Sequence, residues 1–284
     1  MKYPEVVSRS VVVTGCSSGI GLATARLLRD RGWAVVPTAR KPEDIDRLRS
    51  EGFNPVQLDM TDSAAIHQTA NDVLRLLGGN LGALVNNAGY GQPGAMEDMT
   101  RDAMRDQFEV NVFGLQELTN QLIPAFRRQG YGRIVNVSSV LGRISIPFMG
   151  IYSASKFAVE ALSDAMRVEL WNSGVAVSLV EPGPIETAFR KTSKDRALGQ
   201  QEHFERSFFE KYYREQVKES GTRKKLAHIF MLPPEAVARK ILHALESPRP
   251  RRRYPVTAVA HMMEFLRRFV PDGLIDRIMS RRLA

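Results

Sequence analysis

The sequence of 284 residues predicts a doubly wound α/β fold: a parallel sheet covered by helices on both faces, followed by a C-terminal helical extension. Three observations predict it. Short β-branched runs alternate with helix-length amphipathic segments from residue 10 to residue 180, the order that builds a parallel sheet with right-handed crossovers. A glycine-rich turn follows the first run directly and opens a helix. Beyond residue 257 the pattern changes to two amphipathic stretches broken at Pro271-Asp272.

The elements follow in order. Ser10 to Thr14 is a buried strand, and Gly15-Cys16-Ser17-Ser18-Gly19-Ile20-Gly21 leads into a helix stopped by Gly32. Strand, glycine turn and helix N-terminus together cradle phosphate, or they simply close a tight connection. The spacing Gly-x-x-x-Gly-x-Gly differs from the usual dinucleotide fingerprint. Ala34 to Thr38 is the second strand. No acid stands at its end to take a ribose 2′-hydroxyl; Arg40 and Lys41 stand there instead and suit a 2′-phosphate, which favours NADP over NAD. Asn54 to Leu58 is the third strand. Asp59 at its end either accepts from an adenine amino group or caps the helix that starts near Asp62.

Ala64 to Leu77 is helical, Leu81 to Val85 is the fourth strand, and Asn86-Asn87-Ala88-Gly89 reads as backbone contacts to a flat ligand or as a turn. Thr100 to Phe126 reads as one long helix, with Asn111 buried among apolar neighbours and therefore needing partners. Gly132 to Ser138 is the fifth strand and delivers Ser139. Ser153 to Leu170 is a helix with Tyr152 near its start. Val175 to Val180 is the sixth strand and runs into Glu181-Pro182-Gly183-Pro184-Ile185-Glu186-Thr187.

The chemistry concentrates in Ser139–Lys156. Tyr152 and Lys156 are four apart and share a helical face. A neighbouring ammonium favours the phenolate and lowers a pKa that is ordinarily about 10. A phenol poised in that way exchanges a proton with an alcohol or a carbonyl. The Ser139 hydroxyl, from a separate element, is placed to bond the same substrate oxygen.

Thr14–Gly21, Asn86–Gly89, Asn111, Ser139, Tyr152–Lys156 and Pro182–Thr187 stand in the order and at the separations of the short-chain dehydrogenase/reductases, which the sequence resembles over roughly residues 8–190. The stretch from Gly142 to Leu162 looks most like the hydroxysteroid and retinol dehydrogenase branch. The resemblance implies a Rossmann-type sheet and an NADP-dependent oxidoreductase interconverting an alcohol and a ketone or aldehyde. It makes Tyr152 the general acid or base and Ser139 the group that polarises the substrate oxygen. Lys156 would tune the phenol and bond the nicotinamide ribose, and Asn111 would anchor a water relaying protons to Lys156. It assigns the pyrophosphate to Gly15, Gly19, Ile20 and Gly21; by their own chemistry the Ser17 and Ser18 hydroxyls add contacts to the 2′-phosphate. The 2′-phosphate falls to Arg40, the adenine to Asp59, the adenosine side to Asn87, Ala88 and Gly89, and the nicotinamide to Pro182, Gly183, Ile185 and Thr187. A non-catalytic NADP(H) sensor is an alternative, and so is an epimerase or dehydratase of the same fold.

Residues 1–284 are expected to form a single catalytic domain, with 188–232 as a substrate lid and 257–284 as the helical extension. In the lid Phe204, Phe208 and Tyr212, with Phe209 and Tyr213 beside them, form an aromatic stripe that packs on the body or lines a pocket for an apolar substrate. Pro234 opens a helix over Ala236–Leu245, and Tyr254 to Val256 is the last strand. Val259–Val270 and Gly273–Leu283 carry an apolar face of Met262, Met263, Leu266, Phe269, Ile275, Ile278 and Met279 beside many arginines. That face packs on its own or a partner subunit, or docks peripherally on an anionic membrane.

Composition bounds the partners. Net charge is +9 and the pI about 9.8, which favours anionic partners. No groove-reading motif is present, so nucleic acid is not expected. Cys16 is the single cysteine, which rules out an intrachain disulfide and fits a reducing compartment. With no secretory pattern and no run near the roughly 20 apolar residues of a spanning helix, a cytoplasmic protein is expected, and the family resemblance implies a homodimer through Thr100–Phe126 and Ser153–Leu170.

Overall fold

A computed structural model of the chain describes residues 2–198, 206–217 and 231–280. Its strands are Ser10–Val13 (β1), Ala34–Ala39 (β2), Val56–Gln57 (β3), Ala83–Asn86 (β4), Gly132–Val137 (β5), Val175–Glu181 (β6) and Arg253–Pro255 (β7). All pair in parallel, in the order β3-β2-β1-β4-β5-β6-β7. The chain winds outward from β1 to β3, returns to β4, and winds the other way. The crevice for a ligand therefore lies at the carboxyl ends of β1 and β4.

The central strands are buried on both faces, which explains their near-continuous apolar reading. On one face Val11 and Val13 meet the helices Gly19–Asp30 (α1), Pro42–Ser50 (α2) and, from the other end of the chain, Pro234–Glu246. On the opposite face Val12, Leu84 and Ile134 meet Ser63–Leu76 (α3) and the later helices Leu115–Gln129 and Gly150–Glu169. Each fully buried valine or leucine contributes about 1.5–3 kcal/mol to this two-sided core.

Three expectations are corrected. The single helix over 100–126 is three pieces: Arg101–Phe108 (α4), a π-helical segment Glu109–Gly114, and Leu115–Gln129 (α5). Gly114 passes so close to the loop after β3 that an added Cβ would lie 2.0 Å from the Met60 carbonyl oxygen. The wider turn lets the backbone make that approach while Asn111 points inward.

The catalytic-stretch helix runs Gly150–Glu169 (α6), so Tyr152 lies inside it rather than just before it. In the lid, Phe189–Leu198 is α7 and Glu210–Val217 is α8. The aromatic stripe is not one helical face. Phe208 and Phe209 sit in the turn before α8, because the Ser207 hydroxyl accepts from Phe209 N and its carbonyl from Glu210 N. Phe208 is 89% exposed, and Phe204 lies outside the described residues.

Pro234–Glu246 is α9, Ala258–Phe269 is α10 and Asp272–Ser280 is α11. The side chain of Leu266 and the predicted helix end at Leu283 lie outside the described residues. Thr257 starts α10 by accepting from Ala260 N at 3.1 Å. The extension is fastened to the body at the same residue, since a Cβ on Gly183 would meet Thr257 Oγ1 at 2.1 Å. Among the described residues no helix is long and apolar enough to cross a membrane.

Candidate active site

The end of β5 and the start of α6 bring three of the expected residues together. Ser139 leaves the sheet in extended conformation and its hydroxyl accepts from Leu141 N at 3.1 Å, closing a 3-10 turn over Val140–Gly142. The Ser139 hydroxyl lies close enough to the Tyr152 hydroxyl to favour its phenolate. Lys156, one turn further along α6, donates to the Val137 carbonyl at 2.9 Å and stands 5.9 Å from the centre of the Tyr152 ring. All three side chains are buried.

Their electrostatics correct one expectation. Burial pushes the Tyr152 phenol up to about 12, against the lowering effect of the Ser139 hydroxyl. Burial also brings Lys156 down to about 8, opposed by the negative charge of Glu160. In the protein alone, desolvation outweighs the tuning that a lysine beside a tyrosine suggests. Val137 holds the ammonium back from the ring, and the phenol keeps its proton at neutral pH.

Asn111 is fully engaged. Its Oδ1 accepts from Tyr90 N at 3.1 Å, and its Nδ2 donates to Tyr90 O at 3.0 Å and to Ser155 Oγ at 3.1 Å. Ser155 in turn donates to the Tyr152 carbonyl at 2.7 Å. The carboxamide therefore ties the strand-end loop to the first turns of α6. It still borders Lys156: a Cβ on Gly89 would meet Asn111 Oδ1 at 3.0 Å and Lys156 Nζ at 3.7 Å.

The glycine turn has the form of a cradle. Gly19 has φ +56° at the start of α1, and a Cβ on Gly21 would fall 2.2 Å from the Gly15 carbonyl oxygen. Ser18 caps α1 without a side-chain hydrogen bond, and no acid occupies the first turn, so Ile20 and its neighbours leave amide donors for an anion. Thr14 fixes the opposite wall, its hydroxyl accepting from Asn87 N at 3.0 Å and Ala88 N at 2.9 Å. The Asn87 side chain reaches back to the carbonyls of Thr14 and Gly15 at 2.9 and 3.1 Å. These bonds use its amide nitrogen, so Asn87 shapes the wall.

At the rim, Arg40 is exposed at the end of β2. Arg47 donates to the Ser17 carbonyl at 2.5 Å and to Asp44 at 2.8 Å, which places a second guanidinium beside the glycine turn. Asp59 accepts from Thr61 N at 3.0 Å and from its hydroxyl at 2.8 Å, while Asp62 caps α3. Cys16 is buried, donates to Val13 O, and is pushed up by burial.

The loop after β6 closes the cleft. Pro182 O accepts from Val140 N at 2.9 Å, and Ile185 is buried and bridged to Leu232. The Thr187 methyl abuts Gly19, where an added Cβ would lie 3.0 Å away. Next along the chain, Phe189 stands 5.4 Å from the Tyr152 ring. Phe148, just before α6 and held at φ +63°, stacks on Tyr212 of the lid at 3.6 Å. The mouth beside the phenol is thus aromatic and apolar. Among the described residues no His, Cys, Asp and Glu grouping could hold a metal ion.

Thr14, Arg47 and Ser155 had not been expected as site residues. Each acts through a tertiary contact that spacing does not encode.

Comparison with known proteins agrees with this geometry. A family described as short chain dehydrogenase matches residues 9–197. The uncharacterized oxidoreductase YbbO of Escherichia coli is 40% identical over 280 residues, covering 97% of this chain and 96% of that protein. The NADPH-dependent 3-dehydrocapnine reductase of Ornithobacterium rhinotracheale is 32% identical over 283 residues, covering 97% of both. The crystal structure of a short-chain dehydrogenase from Streptomyces avermitilis superposes with a TM-score of 0.72 at 30% identity, over 96% of this chain and 93% of that one.

Proposed function

The chain belongs to the short-chain dehydrogenase family, and from that premise we propose that it is an NADP-dependent oxidoreductase interconverting an alcohol and a ketone or aldehyde on an apolar small molecule. The observation that carries this reading is the buried Ser139–Tyr152 hydroxyl pair with Lys156 one turn away, opening beside Gly89 onto the glycine cradle. The 32%-identical relative that uses NADPH supports the cofactor, as do the two guanidiniums at the rim.

The cradle fits a dinucleotide. Gly15, Gly19, Ile20 and Gly21 would take the pyrophosphate, Arg40 with the Ser17 and Ser18 hydroxyls the 2′-phosphate, Asp59 the adenine, and Asn87, Ala88 and Gly89 the adenosine side. Pro182, Gly183, Ile185 and Thr187 would take the nicotinamide. When bound, NADP supplies or accepts the hydride. The chain's own residues handle the proton. Ser139 Oγ donates to the substrate oxygen and Tyr152 Oη delivers its proton there in reduction. Lys156 then faces a phenolate that its positive charge stabilises. The phenol is protonated at neutral pH and so has a proton to give in carbonyl reduction, and the phenolate takes one back in alcohol oxidation; the residues set no direction. Phe189, Phe148 and Tyr212 exclude water and favour an apolar substrate, as the hydroxysteroid and retinol branch would require; the name of the 40%-identical relative singles out no branch.

The proposal extends to a cytoplasmic homodimer formed through α5 and α6 and to a peripheral contact of 257–284 with an anionic membrane.

NADPH oxidation across steroids, retinoids, aliphatic ketones and quinones tests the reading. Turnover is expected on apolar carbonyls. Tyr152→Phe should lower it by about 10²- to 10⁴-fold, the usual worth of a general acid, while NADPH binding is retained. A variant as active as the parent refutes the assignment of Tyr152. No turnover by either protein, with NADPH still bound, favours the sensor. Product formed without NADPH consumption favours an epimerase or dehydratase.

A further inference from the structure

The row that α6 presents to β5 does not end at Lys156. Tyr152, Lys156 and Glu160 follow at four-residue steps on one helical face. The end of β5 meets them in sequence. Ser139 faces Tyr152, the Val137 carbonyl accepts from Lys156, and Ser138 between them faces Glu160. The last two crowd beneath Gly142, where an added Cβ would meet Ser138 Oγ at 2.6 Å and Glu160 Cγ at 3.1 Å.

Glu160 is 5% exposed, and its Oε1 makes no hydrogen bond among the described residues. Burial pushes the Glu160 carboxyl up, and the Ser138 hydroxyl, short of full hydrogen-bond geometry, works against that together with Arg253 and Arg143. A buried carboxylate in that condition is costly and calls for a reason.

We propose that Glu160 is a positioning residue of the reaction centre, fixed by Arg253 and acting through Lys156, whose ammonium it keeps charged beside the phenol. The proposal rests on the reading of Tyr152 and Lys156 given above.

Arg253, on β7, bonds Glu160 Oε2 at 3.1 Å, contacts Glu181 Oε1 at 3.1 Å and bonds Asp164 Oδ2 at 2.6 Å. It thereby clamps α6 to the ends of β6 and β7. The groups that face Glu160 are Lys156 and Asp164 from its own helix, Ser138 from the end of β5, Arg143 from the following loop, Glu181 from β6 and Arg253 from β7; Arg167 pairs with Asp164 from the outer side. Arg253 engages Glu160 through Oε2, while Oε1 takes no hydrogen bond among the described residues and the carboxylate stands one helical turn from Lys156. Burial alone works to strip the Lys156 proton, and Glu160 is the group that resists. The sign follows: Glu160 raises the proton affinity of Lys156, so neutralising Glu160 makes Lys156 lose its proton at a lower pH.

The test follows the Lys156 titration directly by carbon-13 NMR of lysine-labelled protein, with the resonance assigned through Lys156→Arg. In Glu160→Gln the midpoint should fall by about one pH unit or more. It should hold within a few tenths in Glu160→Asp and in Asp164→Asn, which trims the same cluster one turn farther from Lys156. Glu160→Met, similar in size, serves if the amide variant does not fold. An unmoved midpoint in either neutral variant overturns the proposal, as does an equal fall in Asp164→Asn. The alkaline limb of kcat/KM for NADPH-dependent reduction should move with the midpoint, whereas a purely structural role would lower activity equally at every pH. The NMR reading needs no turnover, so a protein inactive on every carbonyl refutes the oxidoreductase reading without deciding this one.

Discussion

Arg40 and Arg47 show how much one residue can decide. Both bring guanidiniums to the rim of the glycine cradle, but Arg47 is already held by the Ser17 carbonyl and Asp44. Arg40 stands exposed at the end of β2, where an acid would take a ribose hydroxyl. A charge-assisted hydrogen bond is worth about 1.5–3 kcal/mol, roughly 10- to 150-fold. Arg40→Asp should therefore lower the ratio of kcat/KM for NADPH over NADH by about that factor, measured with one substrate under fixed salt. A ratio that does not move would pass the 2′-phosphate to Arg47. The sequence displays Arg40 because it directly ends a strand. It hides Arg47, whose role depends on α2 folding back over the turn. The same division separates Tyr152 and Lys156, legible from a four-residue spacing, from their proton affinities. Those follow from burial that no spacing records.

At the level of elements, the central strands were legible because a sheet buried on both faces leaves continuous apolar runs. Helix interruptions were not. The π segment at Glu109–Gly114 answers a contact with Met60, more than fifty residues away in the chain. The lid shows the same limit. Aromatic spacing suggested one helical stripe, whereas Tyr213 works as a latch. Its hydroxyl accepts from Ala95 N and donates to Asp98, both at 2.6 Å, and Ser207 also donates to Asp98 at 2.7 Å. Tyr213→Phe leaves the buried Ala95 N–H without its acceptor, at a cost of about 1–3 kcal/mol. Hydrogen exchange in residues 206–217 should speed up, by roughly 5-fold or more. If 206–217 covers the proposed apolar pocket, the KM for a bulky ketone should rise with kcat changing less. Exchange at the parent rate would show that the stacking of Phe148 on Tyr212 holds the lid by itself.

On the scale of the whole molecule, two apolar surfaces face outward with different electrostatic settings. On the π segment, on α6 and just after it, Phe113, Leu162, Val168 and Trp171 are exposed, an arrangement suited to a second copy of the chain. On α10 and α11, Met262, Leu274 and Ile278 are exposed, and Arg277 stands in the same turn as Ile278. A chain with net charge +9 that sets exposed apolar groups among arginines is matched to an anionic interface. Deleting 257–284 would be a poor test, because Thr257 packs on Gly183 in the proposed nicotinamide loop and α10 lies against the turn after Ser139. Leu274→Glu with Ile278→Glu changes the surface while leaving those contacts in place. The parent protein should sediment with phosphatidylglycerol vesicles and be released by salt, since screening shortens to about 3 Å at 1 M. It should ignore neutral phosphatidylcholine vesicles. The double variant should stay in the supernatant with both, while keeping a dimer's mass in sedimentation equilibrium. If the variant sediments like the parent, the membrane contact is not made by α11. If its mass falls to a monomer's instead, that face is the subunit interface, and the α5–α6 surface is left needing another partner.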